Sequence, residues 1–114
     1  MTLRSIDSSA QRELLLSFEP AIDLTEAARI VAASVQALLK ENVVVLPCVY
    51  ANATEECRAV ALSKKDRIIL FVCAEQMRDI RVHVKELGIP GGGGTVLYIL
   101  DDLAEYLRET IPQR

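Results

Sequence analysis

The first 87 residues of this 114-residue chain contain no glycine, and all five glycines (Gly88, Gly91, Gly92, Gly93 and Gly94) fall within one seven-residue window. Every reversal before Gly88 must be made without glycine's conformational freedom, so proline and short polar runs are the punctuation to follow. Glu19-Pro20, Asn52 to Glu55 and Ser63-Lys64-Lys65-Asp66 are the breaks that result. The glycine window, residues 88–94, reads as a loop between the body of the chain and its C-terminal segment. With 51% hydrophobic residues and a mean hydropathy of +0.24, the chain has enough apolar material for the core of one domain spanning 1–114. Residues 1–9 read as a flexible N-terminus.

Between these breaks the apolar spacing changes character. Gln11 to Phe18 (QRELLLSF) places Leu14, Leu16 and Phe18 on one face of a strand. Asp23 and Glu26 then have capping-box spacing and open an amphipathic helix. Its apolar stripe is Leu24, Ala28, Val31, Val35 and Leu38, with Glu26, Arg29, Ala33, Gln36 and Lys40 opposite. Val43 to Tyr50 (VVVLPCVY) is apolar on both faces, the pattern of a strand covered on both sides, whereas Pro47 suits an edge or a bulge. Cys57 to Leu62 and Arg67 to Cys73 follow as two strands of a meander.

Two segments admit two readings. In Glu75 to Leu87, Met77, Ile80, Val84 and Leu87 form a helical stripe ending at Gly88, the longer match, while Ile80, Val82 and Val84 also alternate as in a strand. Thr95 to Leu100 (TVLYIL) is strand-like, with Asp102 and Glu105 at capping-box spacing before a helix. Alternatively, Leu97, Leu100, Ala104, Leu107 and Ile111 belong to one long amphipathic helix. The expected fold is α+β: a mainly antiparallel sheet of four to five strands, an N-terminal covering helix, a second helix after the meander and a C-terminal amphipathic helix.

The composition argues against most chemistry. Cys48, Cys57 and Cys73 are odd in number and lie 9 and 16 residues apart, so buried free thiols are expected, and structural zinc is not. The only histidine, His83, falls among Arg81, Lys85 and Glu86 in the expected second helix, as a solvated residue. Cys73 and Arg78 lack both the spacing and the amide-rich loop of the cysteine phosphatases, and Gly91 to Gly94 is followed by no P-loop Lys-Ser/Thr. From Asp23 to Leu87 the element order is that of the PD-(D/E)XK nuclease core, but the strand that should carry Glu-x-Lys ends in Val72-Cys73-Ala74. A non-enzymatic protein without a cofactor is expected. No apolar run approaches a membrane span, and charged Arg4 and Asp7 interrupt the start, so a cytoplasmic location is expected.

Charge is the most informative property. Between Cys57 and Lys85 seven basic residues (Arg58, Lys64, Lys65, Arg67, Arg78, Arg81 and Lys85) face Asp66, Glu75 and Asp79, a local excess of about +4 in a chain whose net charge is −3. Arg78, Arg81 and Lys85 form a ridge on the expected second helix. Tyr50, Phe71 and Tyr98 lie in strand-like segments as stacking faces for unpaired bases. The Leu97, Leu100, Leu107 and Ile111 seam is the expected contact between copies in a homo-oligomer. In its order of elements, basic strip, strand aromatics and C-terminal amphipathic helix, the chain from Gln11 onward resembles the archaeal ThermoDBP-related single-strand binders. That resemblance implies sequence-independent single-stranded DNA or RNA binding by an oligomer, with Arg58, Arg67, Arg78, Arg81 and Lys85 contacting phosphates.

Overall fold

A computed structural model of the chain describes residues 1–7, 13–46, 49–52, 55–62, 68–74, 79–86 and 93–113. Nine elements follow one another among them: β1 (Thr2–Asp7), β2 (Glu13–Glu19), α1 (Leu24–Leu39), β3 (Val43–Val45), β4 (Val49–Asn52), β5 (Glu55–Leu62), β6 (Ile68–Ala74), β7 (Ile80–Glu86) and α2 (Gly93–Thr110). The fold is α+β, as expected, with one antiparallel sheet in the order β1-β2-β7-β6-β5-β3, and β4 pairing with β5 beyond the end of β3. No described helix is long and apolar enough to cross a membrane.

The strands obey a period of two. Leu14, Leu16 and Phe18 on β2, Ile80, Val82 and Val84 on β7, Ile68, Leu70 and Val72 on β6, and Val60 and Leu62 on β5 are all buried and share one face of the sheet. Both helices lie on that face. α1 covers β5, β6 and β3; α2 covers β7, β2 and β1 and packs against α1. Burial of Ala27, Ala28, Val31, Ala32 and Val35 gives α1 a small-residue stripe that brings its backbone close to the sheet. Asp23 caps the helix, its Oδ1 accepting from the Glu26 N–H at 2.7 Å, while the Glu26 carboxylate pairs with Arg29 at 3.2 Å. Ser34, buried in the same helix, donates its hydroxyl to the Ile30 carbonyl.

Three expectations are corrected, and one of two open readings is selected. Residues 2–7 form an edge strand. The segment after the meander is β7, because Ile80, Val82 and Val84 meet the helices only in an extended chain, and a helix there would leave β2 and β6 unbridged. Of the two readings open for Thr95 onward, the structure has the one long helix, α2, which begins inside the glycine window at Gly93. Leu100, Leu103, Ala104 and Leu107 are all at most 3% exposed and Ile111 7%, so the seam expected between copies is used up inside the protomer. The Leu97 side chain lies outside the described residues.

With no glycine before Gly88, α1 ends on Lys40 in the left-handed region (φ 53°, ψ 38°), where a Cβ is unfavourable. Lys40→Gly should therefore raise stability by up to about 1 kcal/mol, a melting-temperature gain of roughly 4 °C by calorimetry. Leu107→Ala should cost about 3 kcal/mol. If α2 serves its own core, that loss is independent of protein concentration; a concentration-dependent loss would return the seam to an interface.

Candidate nucleic-acid-binding face

Sorting the core onto one face leaves the intervening residues on the other, over which no described element packs. The registers set them out in three rows running from β2 towards the β3 and β4 edge. The first is Leu15, Arg81, Cys73, Cys57 and Val49; the second Glu13, His83, Phe71, Ala59 and Leu46; the third Lys85, Ile69, Ala61 and Val44. The β2 and β7 side of this face carries charge, and the β5 and β3 side is apolar.

At the centre, the rings of Phe71 and His83 stack across β6 and β7, their centroids 5.3 Å apart and their planes inclined by 19°. Both are partly exposed, so they form one aromatic surface two residues wide. Beside them the Arg81 Nη1 contacts Glu13 Oε1 at 3.1 Å, a pair bridging β7 and β2 with side chains 24% and 38% exposed. Lys85 occupies the same face of β7 by register, opposite Ile69.

The first row contains a disulfide. Cys57 and Cys73 stand directly opposite one another on β5 and β6, with Cα atoms 4.2 Å apart, and both are buried. That distance suits a narrow antiparallel pair, whose Cα atoms lie about 4.5 Å apart. The expectation of three free thiols is thus overturned for these two; Cys48 lies outside the described residues. Cys73 is covalently engaged, so no free thiolate is present for the chemistry weighed at that position, and the next described element is the strand β7.

The expected binding residues are dispersed. Arg81 and Phe71 share the open face, and Lys85 is in register with them. Arg58 has the parity of Val60 and Leu62 and lies on the helix-bearing face, its guanidinium bound to Glu56 at 3.0 Å and to the Thr25 hydroxyl at 3.4 Å. Tyr50 lies on β4 opposite Glu56, its side chain outside the described residues. Lys64, Lys65, Arg67 and Arg78 lie outside them altogether, and a helical ridge of Arg78, Arg81 and Lys85 does not form because Arg81 and Lys85 stand on a strand. His83, read as solvated on a helix, instead sits mid-sheet against Phe71. The alternation of Ile80, Val82 and Val84 was the available signal, since it places Arg81, His83 and Lys85 together on the opposite side. Glu13, 68 residues from Arg81, had none.

Among the described residues no group of three or more His, Cys, Asp or Glu is arranged to hold a metal ion. Compared with known proteins, the chain matches no family model, no curated protein and no solved structure.

The disulfide predicts a covalent and an energetic result. Denatured, unreduced protein should titrate one thiol per chain and reduced protein three. Cys57→Ala with Cys73→Ala should lower stability by about 3 kcal/mol, the loop-closure entropy for a separation near 15 residues. Three thiols without reductant would remove the bond.

Proposed function

We propose that the protein binds single-stranded nucleic acid on the open face of its sheet. The observation that carries this reading is the Phe71 and His83 stack, partly exposed on two central strands with Arg81 beside it. An unpaired base needs an apolar plane to replace the stacking it loses, and a sheet supplies such planes at fixed spacing while leaving the backbone accessible. Aromatic stacking is tolerant of sequence, which fits binding without sequence preference. Arg81 and Lys85, the second and sixth residues of β7 and on the same face by register, are the phosphate contacts in this reading.

The Glu13 carboxylate gives the surface its selectivity. In the free protein it satisfies Arg81, and a phosphate must displace it, so binding is weak and strongly dependent on salt. No nucleotide chemistry follows from this arrangement, and the reading is that of a binding module. Its cytoplasmic placement rests on the sequence; the Cys57–Cys73 bond suits an oxidising compartment, or the interior of a hyperthermophile, better than an ordinary reducing cytosol.

A second reading, small-ligand binding, is favoured by a groove of about 510 Å³ between α1 and the end of α2, lined by Ile30, Ser34, Tyr106, Thr110, Ile111 and Met1 among others. Tyr106 lies 13 residues along α2 from Gly93, about 20 Å at the rise of a helix.

Fluorescence anisotropy with a labelled 12-nucleotide strand separates the two. Affinity should fall with salt at a slope on the order of −0.7 per phosphate neutralised. Phe71→Ala should weaken binding about tenfold, the loss of one stacked base, and Glu13→Gln should strengthen it by removing the carboxylate that competes with phosphate for Arg81. No binding at low salt, or equal binding by Phe71→Ala and wild type, would discard this face; a melting shift produced by small amphipathic compounds and abolished by Ser34→Leu would support the groove instead.

A further inference from the structure

We propose that β3 is a dimerisation strand, pairing antiparallel with β3 of a second copy so that two sheets become one. The exposed large hydrophobic residues of the described chain are Met1 and three consecutive residues at this edge: Val44 (51% exposed), Val45 (41%) and Leu46 (36%). Soluble sheets ordinarily blunt their edges with short strands, charged side chains, proline, a bulge or a covering segment. β3 is only three residues long and Pro47 follows it in the sequence, which limits pairing to a short segment, but from Val43 to Val49 no residue is charged. Among the described residues no strand lies beyond β3.

The hydrogen-bond parity shows which peptide groups are offered. Leu46 N–H donates to the Ala59 carbonyl at 2.8 Å, and Val44 opposes Ala61 two positions earlier. In an antiparallel ladder the alternate residues point away, so Val43 and Val45 direct their N–H and C=O groups outward. A two-fold axis at Val44 then places Val43 of each copy opposite Val45 of the other, with both peptide groups of each satisfied, and brings the two Val44 side chains into a close cross-strand pair. The strand is its own complement. Lys40 and Glu41, the nearest charges, lie at opposite ends of the paired segment from their counterparts, so like charges do not meet.

Pairing of β3 with β3 about a two-fold axis is isologous, because it consumes the same edge of both copies, and it therefore stops at two. At the opposite edge the Leu3 N–H donates to the Pro112 carbonyl at 2.7 Å and Leu3 bridges to Gln113, so the C-terminal residues occupy β1 at that one position. Three residues a side fall below the area of a standard interface, so the dimer should be weak, with a Kd on the order of tens of micromolar.

Sedimentation equilibrium of the full chain, without oligonucleotide, from about 1 μM to 1 mM tests this directly. The expected result is a reversible monomer–dimer equilibrium. Val44→Lys, at a half-exposed site, should raise the Kd at least tenfold by opposing two ammonium groups. Val45→Pro should do the same by deleting an outward N–H while sparing the β3–β5 ladder, with circular dichroism confirming the fold of each variant. A chain monomeric throughout the range overturns the proposal, and so does a dimer unaffected by Val44→Lys. A dimer sensitive to Val44→Lys but not to a folded Val45→Pro seats the copy on the apolar side of the sheet and overturns strand pairing. Because Phe71 and His83 lie two and three strands away from β3, loss of dimerisation with oligonucleotide binding retained leaves the nucleic-acid reading intact, and the converse leaves the dimer intact.

Discussion

Both helices pack on the same side of the sheet, and nearly every other property of the molecule follows from that asymmetry. A strand in such a layer has one buried and one open face, so a shift of a single residue exchanges its entire core for its entire surface. Val82 holds the register most firmly against that shift, because it is wholly withdrawn from water and its neighbours Arg81 and His83 would each bring a polar or ionisable side chain into the core. The same register puts Phe71 against His83 and Cys57 against Cys73.

Electrostatics follows packing. The basic residues crowded between Cys57 and Lys85 do not make one patch, because strands separate adjacent residues to opposite faces. Arg58 is sent to the helix-bearing side, where Glu56 and Thr25 bind it; Arg81 is sent to the open side, where Glu13 meets it. A positive excess along a sequence becomes a positive surface only where the secondary structure keeps its members on one side. On β7 the register does so for positions 81 and 85, on the face that also carries Phe71 and His83.

The disulfide shows how fine the margin is. The turn expected at Ser63 to Asp66 has its midpoint between Lys64 and Lys65, which would set Cys57 opposite Val72. In the structure Cys57 opposes Cys73 and Ala61 opposes Ile69, a register centred on Lys65. Half a residue in the centre of one hairpin decides whether two thiols face each other, and pattern reading places strand ends no better than that.

What the sequence determined is what local periodicity and capping dictate: α1 and its Asp23 cap, the alternation of β2, β5 and β6, the α+β class, and the amphipathic stripe of α2. These depend on neighbours within a few residues, and the signals are complete in the string. Tertiary structure alone decided the rest. Ile80 to Val84 satisfies both a helix and a strand pattern, and only the gap between β2 and β6 makes it a strand. The edge position of Val43 to Val45 is equally a matter of what lies beside it: the segment reads as doubly buried, but among the described residues no strand lies beyond it, and burial depends on the layers present and not on the hydrophobicity of the segment itself.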